Sequence, residues 1–132
     1  MSERVAADLA LPTVELIAAA TKGSRPEEPG LAPLVAIGSV FRQSGLKAND
    51  LNRAEIMEAY AVQAMACTRL ANIPETIVNP GGGALARGHP IGASGAINAV
   101  RLFHDLSRKP GTGLAAIAAA GGLGTALLMR SG

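Results

Sequence analysis

The chain is 132 residues long and 48% hydrophobic, the measure of one domain spanning 1–132 with a real core. A net charge of +2 and an aromatic content of 2% supply neither the basic field nor the stacking platform of a nucleic-acid binder. One cysteine, Cys67, excludes an intramolecular disulfide framework and any CxxC metal site, so no metal is expected.

The opening segment carries charges throughout and no apolar h-region, so it is not expected to be a signal peptide. The longest apolar run, 114–129, is interrupted by Gly121, Gly122 and Gly124, which argues against a membrane span. A reducing, cytoplasmic location is the expectation that fits a lone cysteine. With no Trp and few other aromatics, the core has to be built from Ala, Leu, Ile and Val.

In chain order, residues 3–9 predict one or two helical turns ended by Leu11-Pro12. Thr13 to Ala20, β-branched early, reads as a strand, and Thr21 to Gly30 as a loop. Pro33 to Gly45 predicts a helix: Leu34, Val35, Ile37, Val40 and Phe41 recur at helical spacing, Pro33 suits the first turn and Gly45 the position after the last. Ala54 to Met57 reads as a buried strand. Tyr60 to Ala71 reads as a helix apolar on most sides, which implies burial. Thr76 to Asn79 reads as a brief strand and Pro80 to Pro90 as a Gly-rich loop. Gly92 to Arg108 reads as a helix with Ala93, Ile97, Val100, Leu102, Phe103 and Leu106 inside. Gly113 to Ala120 and Thr125 to Met129 read as two apolar strands joined by the GGLG turn. Strands alternating with helices argue for a layered α/β domain.

The densest chemical signal is Asn79 to Gly95, NPGGGALARGHPIGASG. Glycine permits positive φ and lets a ligand or a second backbone approach closely. The stretch then opens a helix, whose first turn offers free N–H groups and the positive end of a dipole. His89 stands just before that helix. On chemistry alone it is either a hydrogen-bond donor or general base in a Gly-shaped pocket, or a capping residue of a structural loop.

The same residues carry a family resemblance. Asn79, Gly82-Gly83-Ala84, Ala86, Gly88-His89-Pro90 and Gly92-Ala93-Ser94-Gly95-Ala96 resemble the NxxGGAxAxGHPxGASGAR segment of thiolases. The opening MSERVAADLALPTVELI is similar to the start of the thiolase C-terminal half, and residues 31–45 to the helix that follows it. Glu55 to Ala61, EIMEAYA, resembles the ExNEAFA motif, and Gly113 to Gly124, GLAAIAAAGGLG, resembles GLATLCIGGGxG. The likeness covers nearly all of the chain.

That resemblance implies a thiolase-like C-terminal domain, a layered βαβαβαββ unit with a mixed sheet. It also implies acyl transfer between coenzyme A thioesters. In the family, a nucleophilic cysteine from the N-terminal half is acylated. The asparagine of NEAF holds a water, and that water and the GHP histidine bind the thioester oxygen. The cysteine of CxGGG moves the α-proton.

Carried over residue by residue, His89 matches the catalytic GHP histidine, flanked by Gly88 and Pro90. Glu58 matches the Glu of NEAF and Tyr60 its Phe. Met57 stands where the asparagine is expected, and a thioether holds an oriented water poorly. Ala118 stands at the acid/base cysteine and has no proton to transfer. Gly121 and Gly122 match the glycines that follow it. Met57, Glu58, Gly88, Pro90, Ala118, Gly121 and Gly122 are therefore expected to line the pocket around His89. Cys67, mid-helix, reads as packing and not as a substitute. Arg87 occupies a position that is apolar in the family. It reads as a solvated loop residue, the other readings being a ligand for an acidic group or a cover for the pocket.

No covalent cofactor is expected; a coenzyme A thioester is the expected substrate. A lone half should expose an apolar patch. Association is therefore expected, as a homo-oligomer or with a chain carrying the thiolase N-terminal half, and no nucleic-acid or membrane partner. Two functions compete: one half of an acyltransferase, inactive alone, or a catalytically degenerate thiolase fold kept for binding.

Overall fold

The computed structural model describes residues 1–9 and 12–132. The elements run α1 (Glu3–Asp8), β1 (Glu15–Gly23), α2 (Ala32–Ser44), β2 (Arg53–Ile56), α3 (Ala61–Leu70), α4 (Ala84–Arg87), α5 (Ser94–Arg108), β3 (Gly111–Ala119) and β4 (Leu123–Ser131). Single 3-10 turns occupy Pro29–Leu31, Ala48–Asp50 and Glu75–Ile77. Leu11, expected to end the first helix, lies outside the described residues.

Among the described residues four strands form one open, mixed sheet in the order β1-β4-β3-β2. β3 and β4 are the expected hairpin, with Ala119 opposite Leu123. Both turn glycines have positive φ, +82° at Gly121 and +81° at Gly122, which only glycine adopts without strain. β4 also pairs antiparallel with β1, while β2 runs parallel to β3.

Two helical layers cover the sheet. On one face, α2 packs across β4 and β1, and Ile37 and Val40 meet Ile56, Leu114 and Leu128 in the main core. α2 ends as its sequence predicts: Gly45 sits at φ +73° and its N–H donates to the Phe41 carbonyl. The close seating of α2 depends on Gly124, where a Cβ would collide with the Ala32 carbonyl. On the other face, α5 sets Leu102 and Leu106 against Ala115, over a space that Gly113 leaves open.

α5 reaches β2, β3 and part of β4 but leaves the far side of its face bare. Leu16 on β1 is 59% exposed, and Val100 on α5 is 54% exposed. Beside α5 a groove of about 280 Å³ is lined by Ala96, Ala99, Ile117, Thr125 and Leu127. Apolar side chains are thus left exposed on this face of the sheet.

The structure corrects several sequence expectations. α3 is not buried all round: Ala64 and Cys67 face the core, but Val62 is 74% exposed and Met65 and Leu70 are exposed. Its apolar content exceeds what a single layer of contact can cover. In α5, Ala93, Val100 and Phe103 lie outside, and the inward positions are Ser94, Asn98, Leu102 and Leu106, spaced four apart. β1 runs to Gly23, into the expected loop, because β4 is long enough to pair with it there. The expected loop 80–90 contains the one-turn α4. The brief strand at 76–79 is reduced to a 3-10 turn and one parallel bridge, Val78 with Ala54. Pro74 and the positive φ of Asn79 (+47°) bound that segment too tightly for a ladder.

Candidate active site

Met57 and Ala118, two of the expected site residues, lie at the ends of β2 and β3. Ile56 pairs with Ala116, and the Met57 N–H continues the parallel ladder by donating to the Ala116 carbonyl at 2.9 Å. Met57 and Ala118 thus stand at the same end of neighbouring strands. α5 begins beside them, with Gly95 packed against Ile117. Open α/β sheets bind ligands outside the carboxyl ends of their parallel strands, and this is such an end.

The Gly-rich loop is fastened here by two polar side chains, Asn79 and Glu58. Asn79 acts as a strand residue through its carboxamide, accepting from the Ile56 N–H and donating to the Ile56 carbonyl, each at 2.9 Å. The same amide donates to Glu58 at 2.7 Å. The other oxygen of Glu58 accepts from the Leu85 N–H at 2.9 Å, at the first turn of α4. Gly83 lies directly under this carboxylate, so close that any Cβ would strike it. Glu58 is therefore an anchor of the loop.

From the other side, α5 offers Ser94, Asn98 and Arg101, at i, i+4 and i+7 and hence on one face. Each touches a different point of the loop. Arg101 donates to the Gly82 carbonyl at 2.9 Å and pairs with Glu55 at 2.9 Å. Asn98 accepts from Arg87 at 3.0 Å. Ser94 donates to the Pro90 carbonyl at 3.0 Å and lies 2.7 Å from His89 Nδ1. Among the described residues no buried side-chain polar atom of this network lacks a partner. Burial pushes the Glu55 carboxyl up from its ordinary range, with Arg101 pulling the other way. The bond to Glu55 in turn raises the Arg101 guanidinium.

His89 itself is exposed, held by Nδ1 with Nε2 pointing away from that bond. Gly88, at φ +94°, turns the chain out of α4 to present it, and Pro90 supplies the carbonyl that closes the first turn of α5. Met57 is 2% exposed, so its side chain belongs to the interior. Ala118 is half-buried on β3. Gly121 and Gly122 serve the hairpin: Gly122 fits against the carbonyls of Ser24 and Arg25, and its own carbonyl accepts from the Ser24 N–H at 2.7 Å. Nothing ties those two glycines to His89. Arg87 is exposed but not a free loop cation, since it bonds Asn98. Cys67 is fully buried, bonded to the Gly30 carbonyl at 3.2 Å, and burial raises its thiol. A second depression, of about 380 Å³, lies between α3 and the loop and is lined by Glu58, Ala64, Met65, Thr68, Asn79 and Leu85.

Sequence reading gave Asn79, Ser94, Asn98 and Arg101 no role. The available signal was the spacing of the last three along one face of α5.

The Thiolase, C-terminal domain family matches residues 10–131. The chain belongs to the thiolase family. Among solved thiolases, the Acat5 thiolase of Ascaris suum in complex with coenzyme A superposes with a TM-score of 0.90 at 35% identity, over 98% of this chain and 34% of that one. Human mitochondrial 3-ketoacyl-CoA thiolase superposes with a TM-score of 0.91 at 30% identity, again over 98% and 34%. A putative acetyl-CoA C-acetyltransferase of Bacillus subtilis is 42% identical over 98% of the chain and 36% of its own length. The peroxisomal 3-ketoacyl-CoA thiolase of Encephalitozoon cuniculi is 39% identical over 98% and 34%. The chain thus spans about a third of the relatives it matches, and as a thiolase C-terminal domain it accounts for one part of such a molecule.

Proposed function

We propose that this thiolase domain forms one half of a CoA-thioester acyltransferase of the acetyl-CoA C-acyltransferase type. It acts with a thiolase N-terminal half, in the same or a second chain, that supplies the nucleophilic cysteine. The carrying observation is His89, exposed at the carboxyl end of the sheet and held by its inner nitrogen. Coenzyme A bound to the Ascaris relative supports the substrate class. The bare face beside α5 supports a docking partner.

Met57 and Ala118 narrow the chemistry. Neither side chain orients a water or moves a proton. Removing the α-proton of an acyl thioester by the family's route therefore has no proton carrier at position 118. Acyl transfer between thiols requires no α-proton to be removed, and neither does decarboxylative condensation. There the bond to a carboxylate breaks, CO₂ leaves and the electron pair enters the enolate, whose oxygen His89 is placed to bind.

The test is to recover the tagged chain from its host, identify a bound thiolase N-terminal half, and assay the assembly with acyl-CoA donors. Acylation of the partner's cysteine, with turnover reduced about 10²- to 10⁴-fold in His89→Ala, supports the proposal. An assembly that turns over no acyl thioester refutes it. It would leave the second reading, a degenerate thiolase fold kept for binding, which the burial of Met57 inside the core favours.

A further inference from the structure

We infer that Ser94 is a positioning residue that locks neutral His89 in the tautomer protonated at Nδ1, leaving Nε2 as a bare lone pair facing solvent. Ser94 is fully buried, and its hydroxyl oxygen has two close neighbours, the Pro90 carbonyl at 3.0 Å and His89 Nδ1 at 2.7 Å. The hydroxyl has one hydrogen to give. If that hydrogen points to Nδ1, the serine oxygen faces the Pro90 oxygen lone pair to lone pair at 3.0 Å. If it points to Pro90, the serine oxygen is free to accept, and the imidazole completes the second bond by donating Nδ1–H. Only the second arrangement makes both contacts attractive.

The Pro90 carbonyl is itself fixed. It accepts the N–H groups of Ala93 and Ser94, each at 2.9 Å, in the first turn of α5. The carbonyl cannot turn away without unwinding that turn. Backbone geometry therefore sets the serine proton, and the serine sets the histidine proton.

The consequence bears on the role of His89 and rests on the acyltransferase reading. With Nδ1 carrying the only ring proton, Nε2 accepts a proton before it can donate one. A thioester or enolate oxygen is then served by Nε2 only after Nε2 has taken a proton, which the proposed nucleophilic cysteine gives up on becoming a thiolate, leaving an imidazolium with both nitrogens protonated. Ser94 accepts from Nδ1 in both states, so the ring need not rotate between them.

The tautomer can be measured without substrate or partner, so this inference and the acyltransferase reading fail separately. The full chain has two histidines, and His104→Gln leaves His89 alone in the spectrum. Long-range ¹⁵N–¹H correlation at a pH where the ring is neutral should show Nδ1 protonated and Nε2 bare. Ser94→Ala should shift the population toward the Nε2-protonated form, and Ser94→Thr, which keeps a hydroxyl, should restore it. In an active assembly Ser94→Ala should lower kcat about tenfold or more while KM changes little. An Nε2–H ring in the unaltered serine background overturns the inference without any variant. So does an unchanged tautomer in a folded Ser94→Ala chain.

Discussion

Asn79 closes the edge of the sheet for Ile56, its carboxamide bonding both the N–H and the carbonyl of that residue at 2.9 Å. A side chain does here what a fifth strand would do. It does so from a left-handed backbone, φ +47°, which places the amide rather than the next peptide beside β2. Asn79→Ala removes these bonds and the one to Glu58. It should cost about 2–4 kcal/mol, since buried backbone groups lose their partners. Asn79→Asp should cost at least as much, because it sets a second carboxylate against Glu58. Urea denaturation of both variants checks this, and a loss below about 0.5 kcal/mol in Asn79→Ala would contradict it.

Gly83 and Glu58 should be energetically coupled. An added methyl at Gly83 forces the carboxylate off Asn79 and the Leu85 N–H, so Gly83→Ala should cost about 1–3 kcal/mol. In a Glu58→Ala background the same substitution should cost almost nothing. A double-mutant cycle measures the difference directly. Equal costs in both backgrounds would mean that Glu58 does not hold the loop.

Two glycines of the sheet and helix should respond oppositely to alanine. At Gly124 the new methyl meets the Ala32 carbonyl, which belongs to the backbone and cannot swing aside. Gly124→Ala should cost about 3 kcal/mol or more by pushing α2 off β4. At Gly95 the nearest atom is Ile117 Cγ2 at 3.7 Å, an ordinary contact. Gly95→Ala should be neutral, or stabilising by about 0.5–1 kcal/mol through the helix. Thermal melts of the pair distinguish the two outcomes.

Cys67 should make the fold sensitive to alkali. Burial raises its thiol above the ordinary value of 9.0, so the folded state holds the proton longer than the unfolded state. A group raised on folding contributes fully below its unfolded pKa and loses that contribution as pH climbs toward the folded value. Stability should therefore fall from about pH 9 upward, and Cys67→Ala should flatten that limb. Thiol reagents should label Cys67 only on the timescale of opening. Rapid labelling of the native chain would contradict its burial.

Ala118→Cys should return a proton carrier to the end of β3. Within an active assembly, that substitution combined with Met57→Asn should permit exchange of the α-hydrogen of acyl-CoA with deuterated solvent. The unaltered domain should show none. Exchange in the unaltered assembly would mean that a base outside these positions does the work.

Much of the architecture was legible because local rules decided it. Gly121-Gly122 demanded a turn between two apolar runs, Pro33 and Gly45 bracketed α2, and His89 stood before a helix that does begin there. What escaped was non-local. The strand 54–57 was expected to be buried, but the partner that lets Glu55 lie there at 1% exposure is Arg101, 46 residues away, which nothing near Glu55 names. Apolar content alone did not say which side of α3 or α5 would face a core, so Val62, Val100 and Phe103 were expected inside. The likeness to thiolases identified His89, Met57 and Ala118 as positions. It was silent on how the loop is fastened, since Asn79 and Ser94 act through bonds only coordinates reveal.

The strand order carries a consequence for synthesis. β4 lies between β1 and β3, and among the described residues β1 has no other neighbour. Glu15 waits for Arg130, across nearly the whole domain, before its strand is paired. On the ribosome the first strand therefore stays unpaired until the last strand has left the tunnel, and the domain cannot fold stepwise from its N-terminus. A nascent chain stalled before Leu123 would leave β1 without a neighbour and one edge of β3 open, and offer both to chaperones or to aggregation.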